Sequence, residues 1–148
     1  MSISIRPLSP DDKARWQVLW HGYLTFYEHP INDALTENLW GRLMTEDHDP
    51  YCLVACDGKG TVIGIVQYLF HATTWTGRDK CYLQDLFVDP KARIGGAGRA
   101  LIEAVYEKAA AADASEVYWM TQHFNSVARV LYDRVGELTP FIKYRKLM

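Results

Sequence analysis

The sequence has no CxxC pair, no apolar run of membrane-spanning length and no excess of basic residues, and each lack removes a class of protein. Its three cysteines, Cys52, Cys56 and Cys81, are odd in number and unpaired in spacing, which fits neither a zinc cage nor a disulfide framework. They read as small buried apolar residues, and no metal site is expected. Nothing approaches the roughly 18 to 20 consecutive apolar residues that cross a bilayer, so no membrane association is expected. The N-terminus enters an alternating pattern directly, with no signal-peptide core, and a reduced, cytoplasmic setting follows. Sixteen Lys and Arg stand against eighteen Asp and Glu, a formal net charge of -2. Broad phosphate neutralisation asks for a basic surface, so nucleic acid is not an expected partner. Repeats, low-complexity stretches and linkers are missing as well, and one domain over 1–148 is expected.

What is present alternates between strand and helix periods. Ile3, Ile5 and Pro7 alternate with polar residues over Ser2 to Leu8, predicting a short opening strand. Ser9-Pro10-Asp11-Asp12 opens a helix whose apolar stripe is Trp16, Leu19, Trp20, Tyr23 and Tyr27, ending at His29-Pro30. A second short helix is predicted over Asp33 to Met44. Strands follow over Tyr51 to Cys56 and Val62 to His71, joined by Asp57-Gly58-Lys59-Gly60-Thr61. Lys80 to Val88 is a further strand, Gly98 to about Ala112 a helix, and Glu116 to Thr121 a strand. Asn125 to Val135 reads as a helix with Gly136 as its C-cap, and Pro140 to Leu147 as a last strand. Hairpins before a βαβ unit predict an α/β (α+β) fold with a mixed sheet flanked by helices.

The sharpest local signal joins strand to helix: Leu86-Phe87-Val88-Asp89-Pro90-Lys91-Ala92-Arg93-Ile94-Gly95-Gly96-Ala97-Gly98. Amides at a helix N-terminus are unpaired and partly positive, and glycines let a pyrophosphate approach them. The plain alternative is a flexible βα turn, but three glycines in four residues exceed what a turn requires. GxGxxG is absent, and so is a P-loop Gly-Lys-Ser/Thr. The segment resembles the GNAT N-acetyltransferase superfamily, whose Arg/Gln-x-x-Gly-x-Gly/Ala signature is filled by Arg93, Gly96 and Gly98. The resemblance implies that the loop, with Ile94, Gly95 and Ala97, holds the pyrophosphate of acetyl-CoA. It also implies that the backbone of Leu86, Phe87 and Val88 engages the pantetheine arm and acetyl carbonyl, where the fourth and fifth strands splay.

A second match follows downstream, Asn125-Ser-Val-Ala128-Arg-Val-Leu-Tyr132, which fits the Asn-x-x-Ala-x-x-x-Tyr found in the family. Seven residues are two helical turns, so Asn125 and Tyr132 share a face. The resemblance implies that Asn125 contacts pantetheine and that Tyr132 protonates the departing thiolate; the plain alternative for Tyr132 is a core aromatic beside Leu131 and Val135. Tyr82 to Val88 and Val117 to Thr121 look like the polyamine/thialysine and small yeast histone/D-amino-acid acetyltransferases. The polyamine branch also implies substrate contacts at Tyr27 and Glu28. That branch has Glu-Asp on the fourth strand where this chain has Gln84-Asp85, which weakens a polyamine assignment and shifts attention to Asp85 and Glu28.

The implied reaction is acetyl transfer from acetyl-CoA to a primary amine of a small molecule. An alkylammonium has a pKa of about 10.4, so a base must act, directly or through water. Asp85 is the candidate, with a structural Asp on a β-bulge as the alternative; His71 and His123 are further candidates. Gln84 and Trp119 are placed at the substrate, and Trp75, Tyr118 and Phe124 are candidate cation-π partners for an amine. Rival readings are a protein-lysine acetyltransferase and a silent acyl-CoA-binding module. The apolar edge at Pro140 to Leu147 points to a homodimer or higher oligomer.

Overall fold

The computed structural model describes residues 2–92 and 94–148. The chain runs β1 (Ser4–Pro7), a 3-10 turn over Pro10–Asp12, α1 (Lys13–Phe26), α2 (Asp33–Leu43), β2 (Tyr51–Cys56), β3 (Val62–His71) and β4 (Lys80–Val88). It continues through α3 (Ala97–Ala111), β5 (Glu116–Tyr118) and α4 (Ser126–Val135). Five strands form one mixed sheet in the order β1-β2-β3-β4-β5. All neighbours are antiparallel except β4 and β5, because a helical crossover returns β5 in the direction of β4.

Two apolar layers hold the sheet. On one face, Trp16 and Leu19 of α1 pack with Cys52, Val54, Cys56, Val62 and Ile65. On the other, Leu101, Ile102 and Val105 of α3 pack with Leu53, Ala55, Val66 and Leu83. Each fully buried branched side chain stabilises the fold by about 1.5–3 kcal/mol. The first turn is fixed by Asp12, which accepts two hydrogen bonds from the Arg6 guanidinium at 2.7 and 2.9 Å and one from the Ser9 amide at 2.8 Å. All three cysteines are buried and unpaired.

One irregularity decides where the site forms. Gln67 pairs with Asp85, yet Tyr68 pairs with Leu83, so Gln84 is an extra residue in β4. Such a bulge breaks the two-residue alternation. Cys81 and Leu83 therefore face α3 before it and Leu86 and Val88 after it, while Asp85 and Phe87 turn to the α1 face. Without the bulge Asp85 would enter the α3 layer.

Two expectations change. Pro140 to Leu147 is not a strand: it forms no ladder, and Phe141, Ile142 and Tyr144 stand 74%, 77% and 89% exposed. None of its residues pairs with a strand of the sheet, the open edge of β5 included. The fifth strand ends at Tyr118 rather than Thr121, because it diverges from β4 there. Gly136 caps α4 as expected, with an extended backbone at φ -149°. A side chain is excluded there, since a Cβ would lie 2.9 Å from Trp119 Cη2.

Candidate active site

The parallel pairing of β4 and β5 covers only Lys80–Glu116, Cys81–Val117 and Tyr82–Tyr118. From Leu83 to Val88 the β5-facing edge of β4 has no strand beside it. A wedge opens there, along an edge where the backbone groups of Leu86 and Val88 face away from β3, while those of Phe87 join the β3 ladder. At its base Phe87 lies against Gly22, where a Cβ on α1 would come within 2.8 Å of the ring.

The loop after β4 is tied down before it reaches the glycines. The Asp89 amide donates to Ile63 O at 2.8 Å, and its carboxylate accepts from Arg15 at 2.7 Å and from the Lys91 amide at 2.9 Å. Arg15 holds that carboxyl below the usual range. Gly96 then caps α3 with φ +90°, a conformation that only glycine adopts freely. A Cβ on Gly95 or Gly96 would meet nothing within 4 Å, so the space before the α3 amides is open. A Cβ on Gly98 would lie 3.4 Å from Leu131 Cδ2 of α4. Ile94 is half-buried and Ala97 buried. Arg93 lies outside the described residues. Open glycines against unpaired helix amides fit a pyrophosphate.

On the far side of the wedge, Asn125 precedes α4 and donates from Nδ2 to Thr121 Oγ1 at 3.2 Å. Tyr132 is half-buried, with its ring edge-on to Trp119 at 5.5 Å between centroids, and burial pushes its phenol up. The Tyr27 hydroxyl reaches Thr121, and Tyr27 is close enough to Tyr132 to raise its phenol further. The end of α1 thus closes over the same place as α4.

Between them is a cleft of about 270 Å³ lined by Tyr23, Tyr27, Tyr82, Gln84, Met120, Thr121, Gln122 and Lys143. Behind its wall runs a chain of polar contacts. Trp16 Nε1 donates to Gln67 Oε1 at 2.9 Å, Gln67 Nε2 donates to Asp85 Oδ2 at 2.8 Å, and the Tyr23 hydroxyl reaches Asp85. Burial raises the Asp85 carboxyl above its ordinary value, against the hydrogen bonds from Gln67 and Tyr23. Tyr23 is raised far more, mainly by burial and then by the Asp85 charge.

The structure brings Tyr27, Gln84, Asp85, Asn125 and Tyr132 to one wedge. It places others elsewhere. Glu28 is exposed at φ +55° beyond α1 and does not line the cleft. Trp119 sits between Tyr106, Tyr132 and Gly136, on the α3 layer. Trp75 and Tyr118 have Lys80 Nζ over their rings at 5.4 and 5.9 Å, and His71 bonds Tyr118 at 2.7 Å. Phe124 and His123 are exposed and meet edge-to-face at 5.3 Å between centroids. Sequence reasoning passed over Gln67, Tyr23 and Lys143. Gln67 is the one polar side chain in Val62 to Leu69, and Tyr23 lies one turn before Tyr27, so both carried a signal. A hollow of about 450 Å³ is lined only by Lys13, Ala14, Gln17, Val18 and His21, one outer face of α1 away from this chemistry.

A family model described as acetyltransferase (GNAT) family matches residues 15–136. The chain belongs to the GNAT acetyltransferase family. It is 32% identical over 145 residues to the D-amino-acid N-acetyltransferase of Saccharomyces cerevisiae, covering 97% of this chain and 90% of that one. It is 35% identical over 75 residues to the thialysine N-epsilon-acetyltransferase of Bos taurus, covering 51% and 44%. The crystal structure of a ribosomal-protein-alanine N-acetyltransferase from Brucella melitensis superposes with a TM-score of 0.81 at 18% identity, over 99% and 100% of the two chains. The protein is therefore a GNAT N-acetyltransferase with a five-stranded mixed sheet. No helix among the described residues is long and apolar enough to cross a membrane.

Proposed function

We propose that this GNAT enzyme transfers the acetyl group of acetyl-CoA to a primary amine of a small molecule, an amino acid or similar compound. The observation that carries the reading is the cleft of about 270 Å³ bounded by Tyr27, Asp85's partner Tyr23 and the Thr121 loop, opening on the unpaired edge of β4. Small-molecule sites span roughly 300–1,000 Å³, so a compact amine suits it better than a folded protein surface. The two curated relatives act, by name, on D-amino acids and thialysine. A cytoplasmic setting agrees with three unpaired, buried cysteines, and a homodimer would cover the apolar C-terminal segment.

Gly95, Gly96 and the first α3 amides would hold the pyrophosphate, and the Leu86–Val88 edge and Asn125 the pantetheine. Acetyl-CoA would supply an activated thioester to the wedge. Backbone N–H groups at Val88 would donate to the carbonyl oxygen, where negative charge develops. Asp85 would accept the proton of the incoming ammonium, through Tyr23 or a water. Tyr132 keeps its proton at neutral pH and would release it from Oη to the thiolate. A panel of amino acids, polyamines, aminoglycosides and lysine peptides, assayed for acetyl-CoA-dependent thiol release, tests the reading. Turnover of small amines is expected; turnover confined to peptides, or none at all, overturns it.

A further inference from the structure

The lining of the cleft carries a single ionic side chain, Lys143. It comes from residues 137–148, which make no ladder and no helix. Phe141 of that segment meets Trp75 edge-on at 6.3 Å between centroids, which anchors the segment two residues before Lys143. Among the described residues no carboxylate lies within salt-bridge distance of Lys143. The other charge of the site, Asp85, lies behind the lining and is joined to it through Tyr23. The remaining lining is phenolic, amide, hydroxyl and thioether. A cation in the lining and a carboxylate one contact behind it make the cleft dipolar.

We propose that Lys143 is a specificity-determining residue that binds the carboxylate of an amino-acid substrate while the substrate's amine points toward Asp85. This rests on the acetyltransfer reading above and deepens it. A polyamine would set a second ammonium against Lys143, a like-charge contact that costs binding. Gln84, neutral and in the same lining, adds no carboxylate to attract one.

The test compares D- and L-lysine with the matching lysinamides, isosteric probes that lack the carboxylate charge, in wild type, Lys143→Gln and Lys143→Glu. Lys143 is exposed and unpaired, so both variants should keep the wild-type melting temperature. In wild type, kcat/KM should favour the acid over its amide. That preference should fall on the order of tenfold in Lys143→Gln, in KM rather than kcat, and reverse in Lys143→Glu. Raising salt should erode the wild-type preference and leave the Lys143→Gln ratio flat, because an exposed pair is screened. Equal preferences in wild type and Lys143→Gln, with turnover intact, overturn the role of Lys143 and leave the acetyltransfer reading standing. No thiol release from any of these probes overturns the role of Lys143, while the wider amine panel decides the acetyltransfer reading.

Discussion

At Asp85 burial and hydrogen bonding oppose one another, and burial prevails, so its carboxyl titrates above the ordinary value. A carboxyl that holds its proton more tightly in the fold favours folding at low pH, and that contribution is lost as pH rises through the folded pKa. Asp85→Asn removes the titration and keeps an oxygen for Gln67 Nε2. The variant should match wild type in melting temperature at about pH 3–4 and exceed it at about pH 7, while kcat falls on the order of 10². A variant less stable at neutral pH would show that the ionised form is held by its partners rather than opposed by burial. Tyr132 poses the converse case, because its hydroxyl matters only when the thiolate leaves. Tyr132→Phe keeps the ring against Trp119 and should fold normally. Turnover should fall on the order of 10²-fold with amine KM nearly unchanged. Unchanged kcat, with product release shown not to limit, would remove Tyr132 as the acid.

At the scale of elements, the turn from β4 into α3 makes the cofactor cradle, and it can be tested without breaking the fold. Gly96 is a poor target, since any side chain at φ +90° strains the backbone. Gly95 has open space around it and no such restriction. Gly95→Asp should therefore melt near wild type while setting a carboxylate where the pyrophosphate would bind. In wild type, CoA at 100 times its dissociation constant should add about 2.7 kcal/mol, roughly 5–11 °C in a domain of this size. Gly95→Asp should lose that rise, and an unchanged rise would relocate the cofactor. This cradle was legible from sequence because glycine spacing and a strand-to-helix change are local signals. A β-bulge at Asp85 was among the readings, but that Gln84 is the extra residue was not legible, because it depends on how β4 registers against β3, a non-local pairing. Asp85 was thus named as a candidate while its partners Gln67 and Tyr23, 18 residues distant along the chain and on another element respectively, stayed unseen. The last strand failed for the same reason: Pro140 to Leu147 has a strand's composition, but no strand of its own chain pairs with it.

That unpaired segment bears on the whole molecule. Leu138, Phe141, Ile142, Tyr144 and Leu147 are each about three-quarters exposed or more, on a segment whose backbone groups join no ladder. β5, three residues long, ends the sheet with its outer edge open. Unpaired backbone next to exposed apolar side chains is an assembly surface unless something covers it. The chain offers two complementary features of this kind, an open edge and an extended arm, so a second copy can satisfy both by an isologous pairing. We expect sedimentation to give a dimer of the 17.0 kDa chain. Ile142→Asp should shift that mass toward the monomer, because a charge placed at a 77% exposed position is harmless in a lone chain and costly only when buried against a partner. Lys143→Gln, one residue along on the cleft side, should alter substrate preference and leave the mass unchanged. Those two neighbours separate the faces of the arm: one reads assembly, the other selection. A monomer at every concentration would remove the assembly role, and a mass change in Lys143→Gln would mean that the arm does not hold the orientation that puts Lys143 over the cleft.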